Sequence, residues 1–124
     1  MILADTSVWI DHLGSGGDLL ADRLEQRRIL MHPFVLGELM LGGLRNRRSV
    51  VEDLHALPRV TVATHEEVEA LIENARLDGR GIGYVDAALL ASVRLHGAAS
   101  LWTNDRKLAL VAADLAIGWG PDRS

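Results

Sequence analysis

Strand-like apolar runs that alternate with stretches of helical periodicity predict an α/β domain built on a parallel sheet of four or five strands. Two properties of the whole chain agree with that class. Its 124 residues are a common size for one domain, so 1–124 is read as a single unit with no room for a second. Its 48% hydrophobic and 24% charged residues are the balance of a globular chain that buries a core, and they exclude a disordered or fibrous one.

Met1-Ile2-Leu3-Ala4 reads as the first, buried strand, and the Asp5-Thr6-Ser7 that follows is able to cap a helix through Val8, Trp9, Ile10 and Leu13. Gly14, Gly16 and Gly17 end that helix, and Leu19, Leu20 and Leu24 fit a second. Ile29-Leu30-Met31 reads as strand two, and Pro33 stands at the first position of a helix that runs to Gly42-Gly43. Ser49 is placed to cap a segment carrying Val50, Val51, Leu54 and Leu57 on one stripe, closed by Pro58. Val60, Val62 and Ala63 read as a third short strand. Thr64, with Glu67 three residues on, forms a capping box for a helix that turns Val68, Leu71, Ile72 and Ala75 inward and stops at Gly79. Gly81-Ile82-Gly83 leads into a helix from near Tyr84 to Gly97, with Val85, Ala88, Leu89, Ser92 and Val93 on one face. Ser100-Leu101-Trp102-Thr103 is strand four. Leu108, Val111, Ala112 and Leu115 mark the last helix, and Ala116-Ile117-Gly118-Trp119 adds an edge strand before a polar tail.

The chain has no cysteine, which excludes disulfides, a thiolate zinc site and a cysteine nucleophile. That composition suits the reducing cytoplasm, the expected location. No stretch reaches the roughly 18 uninterrupted apolar residues of a membrane span, and Asp5 interrupts the apolar N-terminal run, so the chain is expected to stay soluble and unprocessed. Thirteen Lys and Arg against seventeen Asp and Glu give a net charge of −4, which excludes a protein whose whole surface attracts nucleic acid. Any such contact has to be local.

Ligands of open α/β sheets bind beyond the carboxyl ends of the strands, so the residues just after each strand carry the interest. Asp5 follows strand one and Asp105 follows strand four. Glu38 lies in the helix after strand two, and Asp86 near the start of the helix leading to strand four. Glu38 has Phe34 and Leu41 as helical neighbours and no Lys or Arg within a turn, and Asp86 has Ile82, Leu89 and Leu90, so burying either carboxylate would require compensation. Alone, Asp5 is read as a cap, and Glu38 and Asp86 each as an N-terminal helix charge or a partly exposed carboxylate. Four at one sheet end repel unless they are protonated or hold a cation, and their oxygens suit Mg2+ or Mn2+. The five histidines are scattered over separate elements with no ligand spacing, and are read as helix-surface or helix-end residues. Ser7 is read as a cap, and Arg45, Arg47, Arg48, Arg106 and Lys107 as solvated helix ends with some prospect of touching a phosphate backbone.

Ala4-Asp5-Thr6-Ser7-Val8-Trp9-Ile10-Asp11, Gly37-Glu38-Leu39, the run from Gly83 to Ser92, and Leu101-Trp102-Thr103-Asn104-Asp105-Arg106-Lys107-Leu108 together resemble PIN-domain ribonucleases of the VapC toxin type over nearly the whole chain. The resemblance implies a PIN-like fold with helices on both faces of the parallel sheet. It implies that Asp5, Glu38, Asp86 and Asp105 are the catalytic acids that bind one or two Mg2+ or Mn2+ ions, with Thr6, Thr103 and Asn104 in support. It further implies an endoribonuclease that hydrolyses RNA phosphodiesters as the toxin of a type II toxin–antitoxin pair, a cognate antitoxin that obstructs the site, and a homodimer. A phosphoacceptor receiver-like signalling domain is the alternative from another class. It fits less well, because strand one lacks adjacent paired acids and no Lys-Pro follows a late strand. An aspartyl-nucleophile phosphatase would need an acid two residues after Asp5, where Ser7 stands.

Overall fold

The computed structural model of the protein describes residues 1–120, so the expected polar tail at 121–124 lies outside the described residues. Elements follow in the order β1 (Ile2–Ala4), α1 (Thr6–Ser15), α2 (Asp18–Glu25), β2 (Ile29–Leu30), α3 (Pro33–Leu41), α4 (Arg47–Ala56), α5 (His65–Asn74), α6 (Tyr84–His96), β3 (Ser100–Trp102) and α7 (Arg106–Asp114). The strands pair in parallel in the order β2-β1-β3, with Leu3 opposite Leu30 on one side and Leu101 on the other. Isolated parallel bridges extend the ladder at both edges, Met31 to Arg59 and Leu101 to Gly118. All three residues of β1 are buried, and since successive side chains point to opposite faces, both faces of the sheet are covered.

The expected third strand at Val60, Val62 and Ala63 does not form. Its first residue joins the ladder, because Met31 N–H donates to the Pro58 carbonyl (2.8 Å) and Val60 N–H to the Met31 carbonyl (3.1 Å). After that the donors turn to side chains of α6: Thr61 N–H to His96 Nδ1 (3.0 Å) and Ala63 N–H to Ser92 Oγ (3.0 Å). An alternating apolar pattern cannot tell a segment pinned to a helix from one pinned to a strand. The expected edge strand at Ala116–Trp119 is likewise reduced to one bridge, made by Leu101 N–H to the Ile117 carbonyl (2.7 Å) and Trp119 N–H to the Leu101 carbonyl (2.8 Å). Ser49 does not cap α4, which starts two residues earlier behind Asn46. Asn46 takes the left-handed conformation (φ 52°), which asparagine tolerates better than most residues.

Helix α6 is the central helix of the core, with every residue from Ala87 to Val93 buried. Ser92 is fully buried there, its hydroxyl donating to the Ala88 carbonyl (2.8 Å) while it accepts from Ala63. Ser92→Ala strands the Ala63 N–H and should lower stability by about 1–3 kcal/mol. Urea unfolding checks this, and an unchanged midpoint would show that the bond contributes nothing net.

The chain lays β2 on one side of β1 and later β3 on the other, so strand order reverses at β1. The crevice at such a reversal opens beyond the carboxyl end of the strand, where Asp5 follows β1 and Thr103 to Asp105 follow β3.

Candidate metal and catalytic site

Asp5 is held by both neighbouring chain segments. Its N–H donates to the Trp102 carbonyl (2.9 Å), one carboxylate oxygen accepts from the Thr103 hydroxyl, and the other accepts from Ser7 Oγ and from the Val8 N–H (3.3 Å), capping α1. Asp105 caps α7 by accepting from Leu108 N–H (3.0 Å), and its own N–H donates to Thr103 Oγ1 (3.0 Å). Thr103 thus ties two of the acids together. Asp86 lies in the first turn of α6 and accepts from Gly83 N–H (3.1 Å), and Glu38 on α3 accepts from the Thr6 hydroxyl (2.8 Å). The four acids, drawn from four separate stretches of chain, line one cleft of about 210 Å³ together with Thr6, Ser7, Val85 and Leu89.

Burial is distributed differently from the sequence expectation. Asp5, which alone looks like an ordinary cap, is the buried acid at 6% exposure, Asp86 is half-buried, and Glu38 and Asp105 are exposed. Glu38 escapes burial because Val35, Leu36 and Leu39 of α3 are the residues buried in the core, with Met40 packed at its edge, while Phe34 and Leu41 (90% exposed) remain in solvent. A helix apolar on every side does not disclose which side is inward.

Burial pushes the Asp86 carboxyl above the usual carboxylate range. The Gly83 N–H opposes that shift, and the negative charges of Asp105, Asp5 and Glu38 reinforce it. Among the described residues no Lys, Arg or His forms an ion pair with any of the four. An uncompensated anionic cleft of hard oxygen donors fits a divalent cation of the Mg2+ class. Among the described residues, no three acid or imidazole side chains stand close enough to hold a metal ion by themselves. That spacing is compatible with Mg2+, which keeps several waters and takes only one or two carboxylates directly.

The supporting residues occupy distinct places. Thr6 and Thr103 bond to Glu38 and Asp5, whereas Asn104 turns its side chain to Asp11 (2.6 Å) and its N–H to Ser7 Oγ (3.0 Å). Ser7 carries more than the expected cap, since its hydroxyl links Asp5 to the turn after β3. Its position two residues after Asp5, on the same strand end, was the only sign in the sequence. His32 stands at a helix end, as the sequence suggests, but it is buried there. It caps α3 through Nδ1, which accepts the Phe34 N–H (3.0 Å), and it is 1% exposed. Burial, assisted by the charge of Arg59, lowers its pKa to about 4. The loop before α6 is strapped to α7, because Arg80 pairs with Asp114 (2.8 Å) and the Lys107 side chain lies against Gly81. The backbone at Gly81 has φ +81°, a conformation that calls for glycine, whereas the Lys107 side chain that a Cβ would meet at 2.8 Å is free to move aside.

A parallel sheet whose reversal point opens on four acids with no cationic partner among the described residues defines an α/β protein with a metal-type acidic cleft. Residues 2–114 match the model of the PIN domain. Over 117 residues, covering 94% of each chain, the sequence is 44% identical to Ribonuclease VapC32 of Mycobacterium tuberculosis, in strains CDC 1551 / Oshkosh and ATCC 25618 / H37Rv alike. The fold is also that of the crystal structure of PAE2754 from Pyrobaculum aerophilum, with a TM-score of 0.58 at 16% identity, covering 89% of this chain and 78% of that one. The chain belongs to the PIN-domain family, in its VapC type.

Proposed function

We propose that the protein is a Mg2+-dependent endoribonuclease that hydrolyses RNA phosphodiester bonds. The observation that carries this reading is the meeting of Asp5, Glu38, Asp86 and Asp105 on one cleft without a cationic partner among the described residues. Its family context is a ribonuclease relative of nearly equal span. In this reading Asp5 and Asp86 hold Mg2+ or Mn2+, with Glu38 and Asp105 completing the site directly or through water. When bound, such an ion would supply an activated water and neutralise phosphate charge. The protein's own part is orientation. Thr103 and Ser7 fix both oxygens of Asp5, Thr6 steers Glu38, and the Gly83 N–H aims Asp86. The net charge of −4 agrees with substrate attraction confined to this place.

The same reading makes the protein a cytoplasmic toxin silenced by a cognate antitoxin. Among the described residues no helix is long and apolar enough to cross a membrane. A groove of about 560 Å³ lined by Ile10, Leu13, Leu44 and Arg45 includes Glu38, so a partner segment seated there would cover that acid. A homodimer belongs to the proposal, and light scattering measures it.

The test is cleavage of single-stranded RNA with Mg2+ and with chelator. The wild-type protein should cut only with the ion, and Asp5→Asn should lose about a hundredfold or more. Full activity of Asp5→Asn, or of wild type in chelator, would defeat the reading.

A further inference from the structure

Beside the acidic cleft lies a second, smaller pocket of about 180 Å³, walled by Val8 and Asp11 of α1, Leu20 of α2, and Trp102 and Asn104 at the end of β3. The turn from Thr103 to Asp105 contributes to both, through Asn104 to the pocket and Asp105 to the cleft. Asn104 lines the pocket and donates its N–H to Ser7, while Ser7 and Asp105 line the cleft. We propose that this pocket is a base subsite, which takes the nucleobase next to the bond being cut and prefers guanine. This rests on the ribonuclease reading and deepens it.

Three features point to a base. The floor is aromatic and braced, because Trp102 packs on Trp119 with ring centroids 4.4 Å apart and 44° between planes, and the Arg23 guanidinium sits 5.6 Å from the Trp119 centroid. Unstacked bases of single-stranded RNA are held by such rings. Val8, Leu19 and Leu20 supply aliphatic wall for the rest of a flat ring, and His12, Ser15 and Gly17 complete the lining. The pocket is mostly apolar, and the exposed side chains of Asp11 and Asn104 set acceptors at its edge. Asn104 Nδ2 donates to one oxygen of Asp11 (2.6 Å), which fixes the amide orientation, since only the NH2 group can face a carboxylate. That leaves the second Asp11 oxygen and the Asn104 carbonyl oxygen directed by the same bond. Guanine alone among the RNA bases presents a ring N–H beside an exocyclic NH2, the donor pair that a carboxylate accepts.

Ser7, Asn104 and Asp11 therefore form a chain from the metal-binding acid to the base-reading acid. Seating the base would fix the phosphate over the cleft.

The experiment uses the full-length protein with Mg2+ and short RNAs that differ only in the base on either side of the cut, including inosine, which lacks the exocyclic NH2, and an abasic residue. Wild type should favour guanine at one of these positions by about tenfold or more, and inosine should forfeit most of the preference. Asp11→Asn retains the shape and the bond to Asn104 but not the acceptor charge, and its guanine preference should collapse. In chelator, where nothing is cut, a guanine-containing trinucleotide should quench tryptophan fluorescence of wild type and leave Trp102→Phe largely unquenched. Equal cleavage of all the RNAs by wild type, or undiminished guanine preference in Asp11→Asn, overturns the subsite while leaving the nuclease standing. A wild-type protein that cuts none of them overturns the nuclease reading and the subsite with it.

Discussion

Asp86→Asn should lower RNA cleavage by about a hundredfold or more while making the metal-free protein harder to unfold. Both effects come from one charge. Asp86 is half-buried, and its pKa is raised first by that burial and then by the charges of Asp105, Asp5 and Glu38, so the metal-free fold accepts its anion poorly. Asparagine keeps an acceptor for the Gly83 N–H and removes the repulsion, a gain of roughly 0.5–2 kcal/mol in chelator. Adding Mg2+ should stabilise wild type by mass action and the variant much less. Thermal melts with and without the ion, run alongside the cleavage assay, read all three quantities. A variant less stable than wild type in chelator would show that the acids do not strain one another.

The second large effect is a loss of stability on acidification that begins well above the carboxylate range. His32 has a pKa of about 4 in the fold against an ordinary 6.5. Between those values the unfolded chain takes up a proton that the folded chain refuses. Stability is therefore full above the ordinary value, falls as pH drops through the window, and levels off below about 4. The loss amounts to about 3 kcal/mol. Asp86 works in the opposite sense, because a raised carboxyl pKa adds stability as pH falls through its own titration. His32→Asn retains an acceptor for the α3 cap and removes the titrating ring. Urea midpoints from pH 7 to 4.5 should slope less steeply in the variant. If the two slopes coincide, His32 is not the source.

The helices were legible because their signals are local. Thr64 and Glu67 make the capping box of α5, with Thr64 N–H to the Glu67 carboxylate at 2.8 Å and Glu67 N–H to Thr64 Oγ1 at 3.2 Å, and Pro33 opens α3 at its first position. The outer strands were not, because a strand exists only by virtue of its partner, and Thr61 and Ala63 found theirs on α6 through His96 and Ser92. Within the site, the acids could be named from their places after the strands and from the family resemblance. Their relative burial could not, since Asp5 is enclosed by Trp102 and Thr103, almost a hundred positions away, and Glu38 is freed by the outward side of α3. The small pocket at Trp102 was invisible for the same reason: Asp11 looks solvated on its helix and acquires its partner only when Asn104 arrives from the other end of the chain.

The central strand of the sheet is the first to leave the ribosome, and its second neighbour is the last. Asp5 waits for a hydroxyl 98 residues downstream before its carboxylate is fixed. A nascent chain halted anywhere before β3 has neither Thr103 nor Asp105, so it carries no finished cleft however well its early helices form. The four acids therefore come together only once β3 has paired with β1, so the cleft is the part of this fold that depends most on the long-range contact between the two strands.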